Sequence, residues 1–294
     1  MPNLLDLHMH SNVSLDGQYS PEELMGLCRK AGVATVALTD HNSIRGIPLA
    51  RQAALELGLR FIPGIELDCL FRGINLHLLG YGIELTPALA AVEEKNLEKE
   101  RAVSDRRIEL IRGLGIHLEG EALQALSREG IATGEMIAEV ALAGGNVGNP
   151  LLTPYRPGEK RGDNPYVNFY WDFCGQGKPA YLPVEYMSLA EGIGLVKKAG
   201  GLPVLAHPGI NIGRDLGILE GICGEGIEGI EVYSSYHDGE TVGFYRAQAE
   251  KRRLLKTLGS DFHGKTKPAV RLAGLLCPEE AEILSALSQA LGQS

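Results

Sequence analysis

The sequence predicts an α/β chain: a parallel β/α barrel interrupted once by a mainly helical insertion. Three observations lead there. Short apolar runs alternate with capped helical stretches through residues 1–86 and again through 178–294, the rhythm of parallel β/α units. A polar, metal-competent residue stands at or near the end of nearly every run, where barrels of this kind build their sites. Between residues 87 and 177 the alternation stops. The expected organisation is therefore a discontinuous barrel, 1–86 and 178–294, with an inserted helical and loop-rich cap domain at 87–177.

Residues 4–8 are the first expected strand, within Asp6-Leu7-His8-Met9-His10. In an extended chain, residues two apart share a face, so His8 and His10 can reach one ion. His-x-His alone is a weak signal; it gains weight from the rest of the chain. A loop with Asn12, Asp16 and Gly17 follows. Ser20-Pro21-Glu22-Glu23 starts a helix, with serine as N-cap, proline at the first helical position and acids in the first turn. Leu24, Leu27 and Cys28 give it an apolar face, and Gly32 ends it. Residues 33–38 form a strand closed by Thr39-Asp40-His41, 43–57 a helix, 59–65 a strand closed by Glu66, and 74–79 a strand carrying His77.

Thr86-Pro87 then caps a long helix dense in charge, from Glu93 through Arg107, which is expected to be a solvated face. Helical signals continue through Leu126 and from Met136 to Ala143. From Gly144 to Gly177 the composition shifts to Gly, Pro, Asn and aromatics. Within it, Arg156, Lys160 and Arg161 gather three cations next to Tyr166, Phe169, Tyr170 and Trp171. These three are candidate substrate-binding residues, and the rings can stack on a base.

The β/α rhythm resumes near Lys178. Ser188 and Glu191 form a capping box, and that helix ends at Gly200-Gly201. Residues 202–206 are a strand closed by His207-Pro208, and 227–233 another, followed by His237. A helix at about 240–253 leads into a strand at 254–258 and Ser260-Asp261-Phe262-His263, and a last helix spans 279–291. The count is about seven strands, one short of the usual eight.

The chain has 294 residues, 44% hydrophobic, with a formal net charge of −9. So acidic a surface argues against stable duplex nucleic-acid binding, although bound metals can reverse the charge of a site. Five scattered cysteines read as free thiols in a reducing compartment. With no signal peptide and no apolar run long enough to span a membrane, the expected location is the cytoplasm.

Taken together, His8-x-His10, Asp16, Thr39-Asp40-His41, Gly64-Ile65-Glu66, Ala206-His207-Pro208 and Ser260-Asp261-Phe262-His263 resemble the polymerase and histidinol phosphatase (PHP) family. The likeness covers about residues 3–86 and 178–265. It implies a distorted seven-stranded barrel and phosphoester hydrolysis, by a hydroxide bridging metals in a trinuclear centre. The insertion, and the Gly177-Lys178-Pro179-Ala180-Tyr181 run with Lys178 as a substrate contact, resemble the branch of nucleoside 3′,5′-bisphosphate phosphatases and 5′-to-3′ exonucleases. In that branch an Arg-Pro-His triplet is expected in the insertion, and here Thr133-Gly134-Glu135-Met136 stands instead. The gripping arginine is absent or supplied from elsewhere.

By the same resemblance one ion takes His8, His10, Glu66 and Asp261; a second shares Glu66 and takes His77 and His207; a third takes Asp16, His41 and His263. Nitrogen and carboxylate donors without thiolate suit two to three divalent ions, Mn²⁺ foremost, with Zn²⁺ or Fe²⁺ as alternatives. Asp40 is expected to orient an imidazole, and His237 to protonate the leaving oxygen or to be structural. The expected substrate is a small phosphorylated molecule, a nucleotide. Two other classes stand beside it. Carbon–nitrogen hydrolysis lacks an evident bridging lysine, and a non-catalytic metal-binding regulatory module would be expected to have lost ligands. Composition does not set the oligomeric state.

Overall fold

A computed structural model describes residues 5–292; Leu4 of the first expected strand lies outside them. In chain order the barrel part begins β1 (Leu5–Asp6), α1 (Pro21–Ala31), β2 (Thr35–Leu38), α2 (Ile47–Glu56), β3 (Arg60–Phe71) and β4 (Ile74–Tyr81). Then come the helices α3 (Pro87–Gly113), α4 (Gly120–Leu126), α5 (Gly134–Leu142) and α6 (Pro165–Phe169), the last continuing as a wider turn through Cys174. The chain returns with β5 (Met187–Ser188), α7 (Leu189–Lys198), β6 (Leu202–Leu205), the short α8 (Pro208–Asn211) and α9 (Leu216–Gly224). It ends with β7 (Gly229–Ser234), α10 (Gly239–Arg252), β8 (Leu255–Gly259) and α11 (Glu280–Ala290).

The sheet runs β1-β2-β3-β4-β6-β7-β8, with β5 beside β3. Its ends approach each other: Leu7 N–H donates to the Leu258 carbonyl at 3.2 Å and Asp261 N–H to the His8 carbonyl at 2.7 Å. The result is a nearly closed, distorted seven-strand barrel, as expected. Gly259 permits the closure, since a Cβ there would lie 2.1 Å from His8 Cβ.

One expectation is corrected. The strands are not all parallel, because β4 runs antiparallel to both β3 and β6. Arg72 (φ +50°) and Gly73 (φ +78°) form the two-residue turn of a hairpin. Consequently β3 does not close at Glu66 but continues to Phe71, because residues 66–71 pair with β4. Glu66 and His77 therefore sit inside a hairpin rather than at strand exits.

Local capping follows the sequence closely. Ser20–Glu23 and Ser188–Glu191 are both reciprocal capping boxes, and the Thr86 side chain caps α3. α2 starts at Ile47, four residues later than expected from residue 43. The barrel core includes Leu67, Leu78, Val204 and Ile230. A second apolar cluster, with Ile111, Ile137, Leu152 and Phe169, holds the helical segment together. No described helix is long and apolar enough to cross a membrane.

The α3 expectation is also corrected. Glu94, Lys95, Glu98, Asp105 and Arg106 are exposed, but Asn96, Ser104 and Arg107 are buried. One side of the helix meets water and the other faces inward.

Candidate metal centre

Glu66 is the hub. It is fully buried, and its two oxygens serve two groups of histidines. Oε2 lies 3.1 Å from His8 Nε2, 3.1 Å from His10 Nε2 and 3.3 Å from His41 Nδ1. Oε1 lies 2.9 Å from His77 Nδ1 and 3.1 Å from His207 Nε2. Asp261 Oδ1 stands 3.1 Å from His10 Nε2 and 3.4 Å from His8 Nε2. Asp16 Oδ2 stands 3.2 Å from His263 Nε2. All nine sequence candidates thus gather at one end of the barrel.

Their rear contacts explain the orientation. His8 Nδ1 is 2.9 Å from Glu231 Oε1, and the other Glu231 oxygen accepts the His207 backbone N–H at 2.8 Å. His10 Nδ1 is 3.1 Å from Ser14 Oγ, which donates to Asp40 at 2.9 Å. Asp40 therefore reaches an imidazole only through a serine. His263 Nδ1 meets the Asp261 carbonyl and His207 Nδ1 meets Asn211 Oδ1. In each of these four rings one nitrogen is held and Nε2 faces the centre, the arrangement of a metal-binding imidazole.

The atoms that face the centre match what a cation needs. His8 Nε2, His10 Nε2, His41 Nδ1, His263 Nε2, Glu66 Oε2 and Asp261 Oδ1 are buried without a hydrogen-bond partner. Native structures rarely leave buried polar atoms so, and six converging ones fit divalent cations. Three overlapping groups could hold an ion: His8, His10, Glu66 and Asp261; His41, Glu66 and His77; and His10, His41 and His263. His41 and His10 are thus shared more widely than the resemblance implies. Burial opposes ionisation of Glu66, yet His8, His77 and His41 hold its carboxyl well below the usual carboxylate range. Asp261 behaves alike through Lys267 and His263.

Backbone strain collects here too. Asn42 (φ +55°), His207 (φ +23°) and Asp261 (φ +58°) adopt left-handed conformations, which cost about 1–3 kcal/mol each and persist where the surroundings enforce them.

A cavity of about 740 Å³ opens on the centre. Asp16, His41, His77, His207 and Asp261 line its barrel side; α3, Glu135, Tyr170, Trp171 and Tyr186 line the other. Four residues escaped the sequence reading. Glu231 is a buried carboxylate inside an apolar run, and that contrast was its signal. Asp68 lies 3.3 Å from His77 Nε2. Lys267 Nζ and Tyr236 OH both bind Asp261 Oδ2, at 2.6 and 2.5 Å, which leaves Oδ1 facing the histidines. Neither of these last two has a spacing that marks it.

Other candidates lie elsewhere. His237 does not line the cavity. Its Nδ1 meets the Val232 carbonyl at 2.9 Å, and its Nε2 accepts the Gly209 N–H at 3.0 Å. Both nitrogens are thus engaged by backbone, and burial presses its pKa down. Arg161 forks onto Asp172 at 2.9 and 3.0 Å, Arg156 reaches the Asn146 carbonyl, and Lys160 and Lys178 are exposed. None of the four lines the cavity. Tyr170 and Trp171 do, whereas Phe169 packs in the second core. Glu135, from the stretch that replaces the expected triplet, faces the cavity, where burial and then Asp16 push its pKa up to about 7.

The PHP domain model matches residues 6–141. The 3′,5′-nucleoside bisphosphate phosphatase of Chromobacterium violaceum is 29% identical over 266 residues, spanning 88% of this chain and 87% of the relative. The phosphoribosyl 1,2-cyclic phosphate 1,2-diphosphodiesterase of Eggerthella lenta is 30% identical over 266 residues, spanning 88% and 94%. Among solved structures, one described as an amidohydrolase from Chromobacterium violaceum, with bound sulfate and no metal, superposes with a TM-score of 0.77 at 26% identity, covering 96% of each chain.

Proposed function

This chain belongs to the PHP domain family and is a phosphoesterase, and we propose that it hydrolyses a phosphate ester of a nucleotide at a centre of two to three divalent ions. The observation that carries the reading is the convergence of six buried, unpartnered ligand atoms around Glu66. His8, His10, Glu66 and Asp261 would hold one ion, Glu66, His77 and His207 a second, and Asp16, His41 and His263 a third, with His10 and His41 near enough to be shared. The donor set of nitrogen and carboxylate oxygen suits Mn²⁺, with Zn²⁺ or Fe²⁺ as alternatives. Such ions supply ionised water at neutral pH and positive charge against phosphoryl oxygens.

The chain's own residues do the rest. Glu231 and the Ser14–Asp40 pair fix the rings of His8 and His10. Lys267 and Tyr236 fix Asp261, and the Lys267 ammonium, buried in the cavity wall, is placed to hold a phosphoryl oxygen. The cavity volume of about 740 Å³ falls in the ~300–1,000 Å³ range of small-molecule sites, which suits a nucleotide. The residues 87–177 read as the unit that covers the mouth.

The structural likeness to an amidohydrolase brings a second reading, hydrolysis of a carbon–nitrogen bond. Lys267 argues against it, because it is committed to Asp261 Oδ2 rather than set between two ligand groups. A screen of phosphomonoesters, phosphodiesters and amides, before and after chelation, tests the proposal. Metal-dependent phosphate release from nucleotides is expected. Amide turnover without phosphate release would overturn it.

A further inference from the structure

Asp16 is carried by a short closed loop between β1 and α1. Asn12 N–H donates to the Tyr19 carbonyl at 2.6 Å and Gly17 N–H to the Ser14 carbonyl at 3.1 Å, so the loop folds back on itself. Gly17 packs so closely that a Cβ there would lie 1.9 Å from the Ser11 carbonyl oxygen. This loop touches all three members of the group His10, His41 and His263. Ser14 Oγ stands 3.1 Å from His10 Nδ1 and accepts the His41 backbone N–H at 2.9 Å. Asp16 Oδ2 stands 3.2 Å from His263 Nε2.

Carbonyls turned outward by so tight a loop need donors. Arg128, from the inserted segment, supplies one. Its Nη1 donates to the carbonyls of Gly17 at 3.0 Å, Asn12 at 3.3 Å and Ser14 at 3.5 Å. Ser14 and Gly17 bracket Asp16, whose own carbonyl accepts from Thr266 Oγ1 at 2.6 Å.

Arg128 is itself held in place. It opens a two-residue turn in which Glu129 (φ +53°) and Gly130 (φ +75°) are left-handed. Arg128 N–H donates to the Ile131 carbonyl at 3.0 Å, and Ile131 N–H returns the bond at 2.8 Å. α3 grips both sides of the turn: Arg101 Nε donates to the Glu129 carbonyl at 2.7 Å, and Ser104 Oγ accepts the Ala132 N–H at 2.9 Å. A run of hydrogen bonds therefore leads from α3 to the loop that carries Asp16. Arg128 does not line the cavity, so its route to the centre is this loop.

We propose that Arg128 is a positioning residue for the third ion: by clamping the carbonyls on either side of Asp16, the inserted segment sets how tightly Asp16, His41 and His263 hold that ion. The proposal rests on the multi-ion reading above and places one of the ions under the control of the insertion. The segment 87–177 then completes the metal centre as well as covering its mouth.

Calorimetric titration of the chelated full chain with Mn²⁺ tests it. Asp16→Asn identifies the third ion as the one whose affinity it weakens. Arg128→Ala should weaken that same ion about tenfold, the low end for a group one layer behind a ligand, and leave the others unmoved. Arg128→Met keeps the length of the side chain without its donors and should do the same. The double variant of Asp16→Asn with Arg128→Ala should lose no more than Asp16→Asn alone, because Arg128 acts through Asp16. Unchanged affinities in both Arg128 variants would overturn the proposal. So would equal weakening of every ion, or additive losses in the double variant. An Asp16→Asn protein that binds every ion as the parent does would overturn it as well. Failure of the multi-ion reading itself shows instead in the unmodified protein, which would then take up at most one ion.

Discussion

The two sides of the cavity handle buried polarity in opposite ways. On the barrel side, His8, His10, His207 and His263 each anchor one ring nitrogen on a fixed partner and present the other to the carboxylates of one centre, Glu66 or Asp16. On the helical side, Asn96 Nδ2 and Arg107 Nε stand singly on one face of α3. A convergent, backed set of donors answers compact positive charge. The isolated donors on α3 converge on no such centre. The two sides belong to different stretches of chain. They are joined by Arg128, whose Nη1 reaches the carbonyls of Asn12, Ser14 and Gly17, and by the Lys265–Glu139 pair.

Breaking the barrel side should have the largest effect. Glu66→Gln keeps size but removes the charge shared between two histidine groups, so kcat/KM should fall at least about 10³-fold, several kcal/mol of transition-state stabilisation. The fold should survive by circular dichroism. Near-normal turnover would show that the hub lies elsewhere. One layer back, Glu231→Gln weakens the hold on His8 without touching the cavity, and metal affinity by calorimetry should drop about 10–100-fold. An unchanged affinity would detach Glu231 from the centre.

Two weaker perturbations sharpen the contrast. His237→Ala removes bonds to Val232 and Gly209, so thermal stability should fall, by about 1–3 kcal/mol. Any rate loss should be equal for poor leaving groups and for nitrophenyl esters. A loss confined to poor leaving groups would assign it the role of the acid. Arg161→Ala breaks a pair whose side chains are 31% and 37% exposed, worth at most about 1 kcal/mol. KM for a nucleoside bisphosphate should not move; a tenfold rise would return the loop at 156–161 to the site.

The barrel side was legible because few residue types bind metals and strand exits gather them. Legibility did not require every step to be right. Glu66 and His77 were found as strand-end residues, although Arg72-Gly73 folds them into a hairpin. Glu231 was hidden in an apolar strand, and Lys267 follows His263 with no pattern. The helical side was nearly opaque. The inward polar face of α3 mixes Asn96 and Ser104 with the charged Glu93, Glu100 and Arg107, so charge does not mark it off from the outward one, and only packing distinguishes a cavity wall from a solvated surface. Sequence likewise does not show that Asp172 already holds Arg161, or that Arg156, Lys160 and Arg161 stand outside the cavity wall.

The buried atoms around Glu66 are proposed to form a multi-ion site. Elemental analysis of protein produced with manganese, compared with chelated protein titrated back to saturation, measures it directly. Two to three tightly held ions per chain are predicted. At most one ion per chain, with all nine side chains intact, would contradict it.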